Sequence, residues 1–125
     1  MKNQVFLILA KIDHIIFKAD AYNAIVKNNK DANLVNSEDC RLGKWYRTDG
    51  KAIFGKAPSF PKLENPHRRV HDNVLENMRF IKNGDKRVEN EDVIIKNFQD
   101  MEKASYELYD LFDKLREEVK KSHLS

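Results

Sequence analysis

Three prolines and four glycines are the only strong helix breakers in this chain of 125 residues, and the prolines are confined to Pro58, Pro61 and Pro66. A proline inside a helix removes a backbone donor and clashes with the preceding turn, so stretches without one can stay helical for many turns. On both sides of the proline zone, apolar residues recur at intervals of three and four, and nowhere do they alternate as in a half-buried strand. The expected fold class is therefore all-α. The spacing predicts helices over about 3–28, 32–47, 66–83 and 90–121 in a single domain, 1–125.

The first predicted helix carries two apolar stripes. One holds Val5, Ile8, Ile12, Ile15, Ala19, Tyr22 and Val26; the other holds Phe6, Leu7, Ala10, Phe17, Ala21, Ala24 and Ile25, with His14 among them. A helix that is apolar on two sides needs cover on two sides, and in so small a bundle a second copy of the chain can supply it. A homodimer is the expectation; a monomer would require the last helix to cover both stripes.

The second helix starts between Ala32 and Ser37. One reading makes Ser37 its cap, with Glu38 and Asp39 in a first turn where the helix dipole favours acids, and places Cys40 where backbone N–H groups lower a thiol pKa. The other starts the helix at Asp31 and leaves Cys40 in its interior. Asp49-Gly50, Gly55 and the prolines then mark a long loop, from which Ala52, Ile53, Phe54, Phe60 and Leu63 are expected to pack onto the bundle. Pro66 opens the third helix in its first turn and Asn83-Gly84 closes it. Its inward positions are His67, Val70, His71, Val74, Leu75, Met78 and Ile81. Those of the last helix are Val93, Ile94, Phe98, Met101, Tyr106, Leu108, Tyr109, Phe112, Leu115 and Val119.

Composition narrows the function classes. A net charge of +3, with Lys and Arg interleaved among Asp and Glu, describes a solvated helix surface and gives no reason to expect nucleic acid. No apolar stretch approaches the roughly 20 residues of a membrane span, and Val5 to Ala10 is soon broken by Lys11 and Asp13. The single cysteine cannot form an intrachain disulfide. A cytoplasmic protein is expected.

The chain has four histidines and one cysteine. Apart from His123, near the end, they fall at His14, Cys40, His67 and His71. Residues four apart share a helix face, so His67 and His71 can offer two imidazoles to one ion, and His14 and Cys40 are the only other soft donors in structured-looking segments. One thiolate and three imidazoles complete a tetrahedral zinc set. Taken one at a time, each residue has an ordinary alternative, as a hydrogen-bonded core histidine or a small buried thiol. Trp45 reads as core or interface packing, Gly43 as a point of close approach or a bend, and Arg68 and Arg69 as solvated surface.

Three blocks carry a resemblance. They are Leu9-Ala10-Lys11-Ile12-Asp13-His14 with Phe17-Lys18, Cys40-Arg41-Leu42-Gly43-Lys44-Trp45-Tyr46, and Pro66-His67-Arg68-Arg69-Val70-His71. In order, type and spacing the chain resembles the chemoreceptor zinc-binding domain, or CZB. The resemblance implies an antiparallel four-helix-type bundle, usually dimeric, holding one zinc ion per chain through His14, Cys40, His67 and His71. It also implies a sensory role without catalysis, beside a chemoreceptor or diguanylate cyclase signalling domain in cis or in trans. This chain contains neither signalling domain, so an excised sensor or a stand-alone version is expected.

Four protein ligands leave no position open for a reacting water, which favours a structural or sensory ion. Oxidation of Cys40 would remove the one charged ligand, either freeing the zinc or leaving it on His14, His67 and His71. Acceptors for the ring N–H groups should exist, and Asp13, Asp39, Glu64 and Asp72 are nearby in sequence. Two other readings stand beside this one: a zinc hydrolase with a His-only site and a carboxylate such as Glu64, and a metal-free helical adaptor.

Overall fold

A computed structural model of the chain describes residues 2–122, so His123 lies outside the described residues. The elements are α1 (Lys2–Val26), α2 (Arg41–Arg47), α3 (Asp49–Phe54), a 3-10 turn (Pro61–Leu63), α4 (Glu64–Lys82) and α5 (Glu91–Ser122). Among the described residues there is no strand. Among them, too, no helix is long and apolar enough to cross a membrane.

The long helices α1, α4 and α5 form the frame, and the expected second helix is where the structure departs from the pattern. Residues 32–40 are not helical. Local side chains compete for the backbone there: Asn29 Oδ1 accepts from the Asp31 N–H at 3.2 Å and Asn36 Oδ1 from the Asp39 N–H at 3.0 Å. Short polar side chains that bond their own backbone favour turns over helix. Asn28, at φ 54, terminates α1 in the left-handed region that asparagine tolerates. What results is a strap, residues 27–40, laid between α1 and α2.

The loop region also holds more helix than its turn signals predict, since Asp49–Phe54 forms α3. Phe54, Phe60 and Leu63 are buried as expected, whereas Ala52 and Ile53 are exposed. Pro66 sits in the first turn of α4, and Asn83 followed by Gly84 at φ +116 ends that helix.

The core has three parts. Leu7, Ala10, Leu42, Trp45, Phe54, Phe60, Leu108 and Phe112 belong to an aromatic-rich cluster. Ala21, Val70, Val74, Met101 and Ala104 form a middle cluster of small and flexible side chains. Ala24, Ile25, Met78, Ile81 and Ile94 close the far end. There Arg87, held by Asp85 at 2.8 Å, donates to the Ile25 and Val26 carbonyls at 2.9 and 3.0 Å and so satisfies the open end of α1. Asn77 is buried where an apolar residue would be expected, and bridges to the Ile94 carbonyl and to Asn97.

Only one stripe of α1 is covered. Leu7, Ala10, His14, Ala21, Ala24 and Ile25 are buried, while Val5, Ile8, Leu9, Ile12, Ile15 and Ile16 stand 40–54% exposed. On α5, the expected inward positions Val93 and Tyr106 are exposed, and Ala104 and Ser105 are buried instead. A helix as long as α5 drifts relative to its neighbours, so the buried stripe cannot be read from periodicity at every turn.

Candidate metal centre

Each donor reaches the centre from a different local setting. His14 lies mid-way along the buried stripe of α1, 2% exposed, with its Nδ1 2.8 Å from the Ala10 carbonyl one turn back. His67 and His71 occupy consecutive turns of α4, and His71 Nδ1 lies 2.8 Å from the Val35 carbonyl of the strap. Cys40 is the N-cap of α2, in an extended conformation, and its Sγ accepts from the Gly43 N–H at 3.5 Å. The cap is therefore Cys40, not Ser37, and Glu38 and Asp39 precede the helix.

Gly43 explains how the strap fits. A side-chain carbon at this position would collide with the Ser37 carbonyl oxygen. Only glycine lets the strap fold back over the start of α2, where Ser37 O also lies 3.5 Å from the Cys40 sulfur. Trp45 packs as expected, stacked on Phe6 at 4.7 Å and against Phe54 and Phe60. Arg68 is exposed, whereas Arg69 pairs with Glu107 of α5 at 2.6 Å.

The four donor atoms all lie within 4.8 Å of one another. His14 Nε2 and His71 Nε2 are 3.2 Å apart, Cys40 Sγ is 3.1 Å from His67 Nε2, and it is 3.9 Å from His14 Nε2. Zinc bonds of about 2.0–2.3 Å in a tetrahedron give donor separations of about 3.3–3.7 Å. The arrangement fits such an ion.

Tautomers sharpen the fit. A carbonyl oxygen only accepts, so Ala10 and Val35 require the proton of His14 and of His71 to reside on Nδ1. Both Nε2 atoms then present lone pairs to each other across 3.2 Å. The ring acceptors are main-chain carbonyls, which residue types cannot reveal, and none of Asp13, Asp39, Glu64 or Asp72 takes that role. Asp13 instead pairs with Arg41, at 2.6 and 2.8 Å. No hydrogen bond to His67 Nδ1 occurs among the described residues.

Electrostatics favour neutral rings. Burial holds His14 below its ordinary value, against the Ala10 bond that favours its charged form. Burial takes His67 down to about 2, with positive charge on His14 or His71 adding to the effect. Burial also takes His71 to about 4, although the Val35 bond opposes it. For Cys40, burial raises the thiol pKa and outweighs the N–H groups of Gly43 and Leu42 that lower it. The helix start acts in the anticipated direction but does not prevail.

The sequence model of the family described as the chemoreceptor zinc-binding domain matches residues 14–78, more than half of the chain and all four donor positions. The chain belongs to this family. No curated protein and no solved structure matches it. As a CZB domain it has the expected His3Cys group, gathered from α1, the start of α2 and α4. The one element the family match does not reach is α5, which contributes core and no donor.

Proposed function

We propose that this CZB domain is a zinc-responsive sensory module, holding one zinc ion per chain through His14 Nε2, Cys40 Sγ, His67 Nε2 and His71 Nε2, and without catalysis of its own. The observation that carries this reading is the pair of opposed lone pairs on His14 and His71, which a cation between them turns from repulsion into binding. Bound zinc supplies a charged cross-link among three segments. The chain's own residues do the rest: Ala10 and Val35 orient two imidazoles, and Gly43 seats the thiol.

Because His71 is tied to Val35 of the strap and Cys40 caps α2, loss of one donor loosens the strap and the start of α2 together. That is the route from occupancy to signal. Cys40 is the oxidisable member, so the same displacement serves an oxidant as well as zinc. The module works in the cytoplasm beside a chemoreceptor or cyclase signalling domain, in cis or in trans, without nucleic acid or membrane.

The assembly is an antiparallel bundle that pairs as a homodimer. Pairing of Arg69 with Glu107 and of Asn77 with Asn97 supports opposite directions for α4 and α5. The exposed stripe of α1, six large apolar residues in four turns, supports the dimer. Elemental analysis tests the central statement. About one zinc per wild-type chain, lowered in His71→Ala and Cys40→Ser, supports it; zinc-free wild type after chelator-free purification overturns it.

A further inference from the structure

Beside the donors, an ion pair joins α1 to the start of α2. Asp13 immediately precedes His14, and Arg41 immediately follows Cys40. Arg41 Nε donates to Asp13 Oδ2 at 2.8 Å and Arg41 Nη2 to Asp13 Oδ1 at 2.6 Å, a two-pronged fork with the geometry of the strongest guanidinium–carboxylate pairs. Away from the donors, Phe6 stacks on Trp45 two turns removed, and Leu7 and Ala10 share a core cluster with Leu42 and Trp45.

A hollow of about 290 Å³ adjoins this fork, lined among others by Asp13, His14, Phe17, Cys40, Arg41 and His71. Arg41 is the only exposed residue in its lining.

We infer that Asp13 and Arg41 act as a positioning latch for the zinc site, holding the Cys40 sulfur at His14, so that they set how fast the ion leaves. The inference rests on the zinc reading above. As an exposed pair, 56% and 32% by side chain, the latch adds little to global stability. Its effect is local, because a fork fixes both distance and orientation between the residues adjoining two donors, and partners that orient ligands change metal affinity by about 10–100-fold.

Electrostatics alone make a different prediction. Removing the Asp13 charge would weaken cation binding, but removing the Arg41 charge would strengthen it. The latch requires both losses to weaken it.

The test uses the full chain as wild type, Asp13→Asn, Arg41→Ala and the exchange Asp13→Arg with Arg41→Asp. Zinc transfer to a chromogenic chelator gives the release rate, competition gives Kd, and thermal melting of the metal-free protein reports stability. Release about tenfold or more faster in both single variants, with a metal-free Tm within about 4 °C of wild type and recovery in the exchange, is expected. Unchanged release in either single variant, tighter binding in Arg41→Ala, or an exchange as leaky as the singles overturns the latch. A metal-free Tm that falls in step with affinity also overturns it, as a purely structural effect. Wild type that takes up no zinc fails the zinc reading itself, which distinguishes the two failures.

Discussion

His14 and His71 meet through Nε2 atoms 3.2 Å apart while each spends its Nδ1 proton on a main-chain carbonyl, Ala10 for one and Val35 for the other. Two imidazoles committed in this way cannot hydrogen-bond each other. They are pre-arranged to receive a cation, and the cost of that arrangement falls on the metal-free protein.

Metal removal should therefore destabilise the fold. With free zinc at about 1,000 times Kd, binding to the native state alone contributes about 4 kcal/mol. Urea titrations with and without a strong chelator are expected to differ on that scale. His71→Ala should abolish most of the difference, since loss of a ligand exceeds the 10–100-fold that an orienting partner costs. Equal midpoints with and without chelator would contradict it.

Acid should weaken the metal-free protein. His67 and His71 titrate at about 2 and about 4 in the fold against 6.5 when unfolded, and His14 is also lowered. Between those values the unfolded chain binds more protons than the native one, so stability is fully present above about pH 6.5 and declines as pH falls below it. Melting temperatures of chelator-treated protein from pH 7 to pH 4 check this. A flat profile would show that the rings are not buried as described.

Proton release on zinc binding separates the donors. Near pH 7 the three imidazoles are already neutral, whereas burial keeps the Cys40 thiol protonated. Calorimetry in buffers of different ionisation enthalpy should show about one proton released per zinc in the wild type and close to none in Cys40→Ala.

Gly43→Ala should damage the site through the backbone. The new carbon would collide with the Ser37 carbonyl, which cannot rotate away as a side chain would. Overpacking of this kind costs about 1–3 kcal/mol, and here it also moves the strap off Cys40. Lower stability together with weaker zinc binding is expected. Wild-type zinc affinity in this variant would show that the strap does not position the thiol.

The exposed stripe of α1 predicts a pair of chains. Light scattering should give twice the 14.7 kDa chain mass for the wild type, and Ile12→Glu should reduce it to the monomer with zinc content unchanged. A wild-type monomer would leave Val5, Ile8, Ile12, Ile15 and Ile16 to another partner.

Much of this was legible because the relevant signals are local. The pattern of Val70, Val74, Met78 and Ile81 set out α4, and Pro66 and Asn83-Gly84 marked its ends within two residues. The four donors could be named because few residues bind soft metals and this chain has five of them. The second helix misled, since its apolar spacing carries no record of Asn29 and Asn36 turning back on their own backbone. Val93 and Tyr106 misled for a related reason, as which side of α5 is buried depends on where its neighbours lie.

By itself, then, the amino-acid order determined an all-helical chain, the span of α1, α4 and α5, and a His3Cys donor set, all of which follow from residue type and short-range spacing. Only the tertiary structure decided that Cys40 caps α2, that the strap's Val35 carbonyl orients His71, that Asp13 reaches Arg41, and which stripe of α1 stays open. Those outcomes rest on carbonyl groups every residue has and on contacts between distant segments, neither of which a local pattern encodes.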